Sequence, residues 1–136
     1  MLMTFPQFFI IIQKFLLPKI QSLDFSSIED FYIFHINKVY NKSESVIQIS
    51  SIGAGNCETE IDLAAKLIKK GIVDFSFCCI DINPYMLERG KLLAEKHHLI
   101  SKLNFLNTDI NNWQPDNKYH IIMASFSSPL NRCPPQ

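Results

Sequence analysis

The sequence predicts an α/β fold built on an open, mainly parallel sheet of about four strands. Three observations predict it. A β-branched run, Val46, Ile47, Ile49 and Ile52, ends in Gly53-Ala54-Gly55 and passes into a stretch with helical periodicity. Short apolar runs then alternate with helical segments down to Ala124, the pattern that right-handed crossovers and parallel pairing require. Acids stand where two of those runs end, at Asp81 and Asp109.

The elements follow in order. Phe8 to Ile12 with Phe15, Leu16 and Leu17 form an apolar segment closed by Pro18. It falls well short of the ~20 apolar residues of a membrane helix, and it lacks the basic start and small-residue cleavage site of a signal peptide. It reads as a first helix burying Phe8, Ile11, Ile12 and Phe15. A second helix starts near Ser26 or Ser27, either of which can cap it, with Glu29 and Asp30 in the first turn. Ile28, Phe31, Tyr32, His35, Ile36 and Val39 recur at helical spacing, and Asn41 to Ser45 reads as a loop.

After the first strand and the glycine turn, Ile61, Leu63, Ala64, Ala65, Leu67 and Ile68 mark a helix that Gly71 is placed to end. Val73 to Ile80 is the second strand, ending at Asp81. Pro84 opens the next helix, which carries Met86, Leu87, Leu92 and Leu93. Leu103 to Leu106 is the third strand and Tyr119 to Ala124 the fourth. The chain divides into a helical segment over 1–45, a ligand-binding half-domain over 46–125 and an irregular tail over 126–136.

Composition sets limits. The chain has 136 residues, 47% apolar and 19% charged, which is globular and not disordered in character. Thirteen basic residues balance thirteen acidic ones, so bulk charge gives no case for nucleic acid or an anionic membrane. Cys57, Cys78, Cys79 and Cys133 show no zinc-type spacing. Adjacent strand residues point to opposite faces, so Cys78 and Cys79 suit neither a local disulfide nor a shared metal. They read as reduced thiols in a cytoplasmic protein, and no metal is expected.

The strand–glycine–helix turn is the informative constellation. Glycines there let the backbone turn tightly and a ligand approach without meeting a Cβ, and ligands of open α/β sheets bind at the carboxyl ends of the strands. A dinucleotide site would want a third glycine at position 58, where this chain has Glu58, whose charge would repel a pyrophosphate. No GxxxxGK[ST] run is present either. Asp81 can accept hydrogen bonds from vicinal ribose hydroxyls and Asp109 one from an adenine amino group. Ile82, Met86 and Ile110 can wall the ring.

Ser51-Ile52-Gly53-Ala54-Gly55-Asn56 resembles the glycine-rich first motif of class I S-adenosylmethionine-dependent methyltransferases, a Rossmann-like family. The segment from Cys79 to Leu87 resembles their second motif, Leu103 to Ile110 their third, and Tyr119 to Ser125 their fourth strand. The resemblance covers about residues 46 to 125. It implies S-adenosylmethionine as cofactor, bound around Ser51, Gly53, Ala54, Gly55 and Asn56, with Asp81 at the ribose and Asp109 at the adenine, where Ile82, Met86 and Ile110 can wall the ring. It implies methyl transfer to an acceptor that the sequence does not specify.

The chain departs from the family at three places. Ser51 stands where the family has an acid, a loss that Glu58 or Glu60 could offset. Cys57 replaces the motif's third glycine, and reads as a small residue more readily than as a reactive thiolate. His120 stands where many members carry an acid, and reads as a packed or partly exposed side chain more readily than as a base. His97 and His98 sit at a helix end, where a cation complements the dipole. The family's sheet normally has seven strands. The expectation is therefore an incomplete, truncated methyltransferase fold whose fourth strand is an exposed edge open to self-association. A non-catalytic remnant that binds cofactor or another chain, and another Rossmann-like nucleotide binder, are the competing readings.

Overall fold

The computed structural model describes residues 21–25, 27–115 and 119–124. The expected first helix (Phe8 to Leu17), the residues after Ala124 and Cys133 lie outside them. The described elements are α1 (Ile28–Lys42), β1 (Ile47–Ile52), α2 (Glu58–Lys69), β2 (Phe75–Asp81), α3 (Pro84–Lys96), a short 3₁₀ turn (Ile100–Lys102), β3 (Leu103–Asn107), a second such turn (Ile110–Asn112) and β4 (Ile121–Ala124).

The four strands form one sheet, ordered β3-β2-β1-β4, with every pair parallel. This is the α/β class that the strand–helix alternation predicts. In the parallel register, Ser51 pairs with Cys79 on one side and Met123 on the other, and Cys79 pairs with Phe105. Paired residues share a face. Ile47, Ile49, Phe75, Phe77, Cys79, Leu103 and Met123 thus line one side, where they pack with Ile33 and Ile36 of α1, Ile61, Leu63, Ala64 and Leu67 of α2, and Leu87 and Ala94 of α3. On that face Ser51 is the polar exception.

Local chemistry explains the helix bounds. Ser27 Oγ accepts from Asp30 N at the start of α1, and Asn83 Oδ1 accepts from Tyr85 N and Met86 N ahead of Pro84. Gly71 N and Ile72 N donate back to the carbonyls of Ile68 and Leu67, the double C-terminal bond that closes α2. Helix α1 runs through Asn41 and Lys42, where the sequence reads as loop, and turns out only at Ser43. Lys66 of α2 pairs with Glu29 of α1. The outer side of β4 carries no strand among the described residues, and Ile122 there is half-exposed. Among those residues no helix is long and apolar enough to cross a membrane.

Candidate functional site

The strand order reverses at β1, with β2 on one flank and β4 on the other, so the crevice of this fold opens at the carboxyl end of β1. The glycine turn sits there. Gly53 and Gly55 have φ of 70° and 59°, the left-handed region that side chains resist. Gly53 N and Ala54 N both donate to Ile80 O, at 2.9 and 3.0 Å, which ties the turn to β2.

Asp81 ends β2 beside it, partly buried. One carboxylate oxygen accepts from Gly55 N at 2.9 Å and the other from Asn83 N at 2.8 Å. Each ionised oxygen has capacity for a further hydrogen bond. The acid therefore fastens the turn to the start of α3 and keeps acceptor capacity for hydroxyls. Asn107 holds the same junction from β3, its amide donating to the carbonyls of Asp81 and Ile82 at 3.0 and 2.9 Å.

The other sequence-derived residues divide. Ile82 is exposed beside Asp81, and Ile110 is half-buried in the turn after β3. Asp109 caps that turn, its Oδ1 accepting from Asn111 N at 2.9 Å and from the Asn111 side chain at 3.1 Å. Asn56 lies at the start of α2, where its side chain accepts from Glu58 N. Met86, expected as a wall of the ring site, is buried in the first turn of α3.

Ser51 and Glu60 form the most unusual contact. Ser51 Oγ donates to Glu60 Oε1 at 2.5 Å, and both residues are fully buried. The carboxylate reaches back from the first turn of α2 to the position where the sequence lacks an acid, while Glu58 is exposed. The thiols of Cys57 and Cys79 lie within 4.8 Å of it and of each other. The bond with Cys57, burial and the charge of Glu60 push the Cys79 thiol up, so it keeps its proton. Cys57 is buried in the left-handed conformation, with φ 62°, in line with the small-residue reading. Above the cluster Tyr32 donates to Ala124 O at the end of β4, and burial followed by the Glu60 charge pushes its hydroxyl up to about 12.

His120 takes no part. It precedes β4, at the amino end of the sheet, where its Nδ1 accepts from Gln48 N and its own N–H donates to Gln48 O. It is on the wrong edge to act at the glycine turn. Two surface depressions, one on the flank of β3 by Leu87 and Phe105 and one at the amino ends of the strands by Tyr40 and Asp74, do not include the turn.

Sequence reasoning missed Asn83, Asn107, Tyr32 and Gly90, the last a residue of α3 where an added Cβ would stand 2.7 Å from Cys57 Sγ. Asn before Pro was a capping signal open to reading. The other three are set by tertiary contact alone.

No protein-family model matches the sequence, and no curated protein matches it. Solved structures do. A methyltransferase from Thiobacillus denitrificans, in complex with S-adenosyl-L-homocysteine, superposes with a TM-score of 0.53 at 16% identity, covering 76% of this chain and 38% of that one. A protein from Listeria monocytogenes described as a class I S-adenosylmethionine-dependent methyltransferase gives 0.58 at 17%, covering 71% and 29%. The fold is that of the class I S-adenosylmethionine-dependent methyltransferases. A further methyltransferase, from Geobacter sulfurreducens and also in complex with S-adenosyl-L-homocysteine, gives 0.50 at 16%, covering 68% and 35%. The chain thus spans about a third of the length of these methyltransferase structures.

Proposed function

We propose that this chain carries the cofactor site of an S-adenosylmethionine-dependent methyltransferase. The observation that carries the reading is the Gly55–Asp81–Asn83 clamp at the reversal of strand order. The residues fit the cofactor. Gly53 and Gly55 leave room for close approach, Asp81 retains acceptor capacity for ribose hydroxyls, and the acids Asp81 and Glu60 suit a cation better than a phosphate. Two of the solved neighbours hold S-adenosyl-L-homocysteine.

Bound cofactor would supply a methyl group activated on a sulfonium, open to in-line displacement by an acceptor nucleophile. The chain's own part is binding and orientation. Ser51, Gly53, Ala54, Gly55 and Asn56 would form the floor, Asp81 the ribose side, and Asp109 with Ile82, Met86 and Ile110 the adenine side.

The second reading, cofactor binding without turnover, is favoured by the position of His120 and by the state of Tyr32. The histidine faces the opposite edge, and the tyrosine holds its proton and donates it to Ala124. Calorimetric titration of the purified chain with S-adenosylhomocysteine tests the common core of both readings. Saturable binding that Asp81→Ala abolishes supports it, with Asp81→Asn as the variant that keeps the volume and one acceptor. A folded chain that shows no binding overturns it. Methyl transfer from labelled cofactor to candidate acceptors then separates the two.

A further inference from the structure

Beside the glycine turn the apolar core is interrupted by four fully buried side chains, Ser51 from β1, Cys79 from β2, and Cys57 and Glu60 from the start of α2. Cys57 and Glu60 stand about one helical turn apart, at the N-cap and in the first turn of α2. Ser51 and Cys79 are register partners across β1 and β2. The two thiol sulfurs and a Glu60 carboxyl oxygen lie within 4.8 Å of one another. Cys57 Sγ donates to Gly55 O at 3.7 Å, and Ser51 Oγ donates to Glu60 Oε1. Cys78, the residue before Cys79 in β2, lies on the other face of the sheet and takes no part.

Two thiols and a carboxyl are the donor set of a borderline-soft divalent cation. Bonds of about 2.3 Å to sulfur and about 2.1 Å to oxygen place tetrahedral ligands about 3.6–3.8 Å apart. The three atoms therefore need to close in by no more than about 1 Å. The fourth tetrahedral position goes to water or to Ser51 Oγ, and the Ser51 hydroxyl fixes the angle of the carboxyl as partners of metal ligands do. Three anionic ligands around a doubly charged ion leave one surplus negative charge, which the positive end of α2 offsets.

We propose that Cys57, Glu60 and Cys79 form a zinc site that staples the start of α2 to β2. It is independent of the cofactor reading. Entry of the ion makes two metal–sulfur bonds and one metal–oxygen bond. The protons of both thiols, and any proton on the carboxyl, pass to the buffer, and no electron is transferred. Buried ligands are reached before the chain closes over them, so binding is coupled to folding. Cysteine spacing predicts no metal because Cys79 lies far from Cys57 in the chain, and only the sheet brings it back to α2.

The test uses cobalt(II) as a coloured stand-in for zinc. The full chain, reduced and stripped with a chelator, is refolded with cobalt(II) and its absorption followed. One ion per chain with a thiolate-to-cobalt band is expected, and added zinc should bleach the band. C78S/C133S leaves Cys57 and Cys79 as the only thiols of the chain's four cysteines and should bind as the unaltered chain does. Cys57→Gly, Glu60→Gln and Cys79→Ala should each weaken binding by more than about tenfold. Zinc at a hundredfold excess over Kd should raise Tm by roughly 5–10 °C in the unaltered chain and not in Cys79→Ala. Absence of the band, its loss in C78S/C133S, or undiminished binding in any of the three single variants overturns the proposal. If the single variants do not fold, as judged by circular dichroism, C78S/C133S decides alone: one cobalt per chain with the thiolate band supports the site, and no band overturns it.

Discussion

Gly90→Ala sets two effects of known sign against each other. Gly90 lies in the middle of α3, where alanine is the better helix former by about 1 kcal/mol. The added methyl, however, would stand 2.7 Å from Cys57 Sγ, 2.9 Å from Asn56 O and 3.0 Å from Cys57 Cβ. Two of these three atoms are a backbone carbonyl and a Cβ on a residue held at φ 62°, so they yield only if the turn itself moves. Overpacking of this kind costs about 1–3 kcal/mol. The net expectation is destabilisation by up to about 2 kcal/mol, a fall in Tm of up to roughly 6 °C for a domain of this size. Urea and thermal unfolding measure it, and S-adenosylhomocysteine titration should show weaker binding because the displaced residues adjoin Gly55. Cys57→Gly in the same chain removes two of the three contacts and suits the left-handed backbone, so C57G/G90A should recover part of the loss. A rise in Tm for Gly90→Ala alone would mean that α3 does not approach the turn this closely, and the packing argument would fail.

Two further outcomes follow from named contacts. Tyr32 has its hydroxyl pushed up to about 12 in the folded state, above its ordinary value of 10, so the folded chain holds that proton more tightly than the unfolded one. Stability should be fully present below pH 10 and decline as pH rises towards 12, by at most about 2–3 kcal/mol, and the decline should shrink in Tyr32→Phe when alkaline unfolding is followed by circular dichroism. His120→Ala removes the acceptor of Gln48 N–H at the amino edge. It should cost about 0.5–1.5 kcal/mol in urea unfolding and leave S-adenosylhomocysteine affinity within about twofold.

The sheet was legible because its signals are local. β-branched runs, helical spacing and the glycines at 53, 55 and 71 are short-range instructions, and each strand lies where its run predicts, with three of the four starts trimmed by one or two residues. Asp81 and the glycine turn could be paired from sequence because each follows a strand. The acid missing at Ser51 was also readable, but which glutamate answers it was not. Glu58 and Glu60 differ by two residues, and only the helix rotation turns one to solvent and the other into the core. Gly90 and Asn107 carry no sequence signal, since what they do depends on elements far away in the chain.

The carboxylate of Asp81 grips two loops at once, through the amide hydrogens of Gly55 and Asn83. Those two protons exchange with solvent only when the grip opens. They are therefore paired timekeepers for one event, and a ligand seated against Asp81 would slow both together. A preformed clamp of this kind also leaves little backbone freedom to be lost on association, so the affinity of the site is set by the contacts a guest makes and not by the work of shaping a place for it.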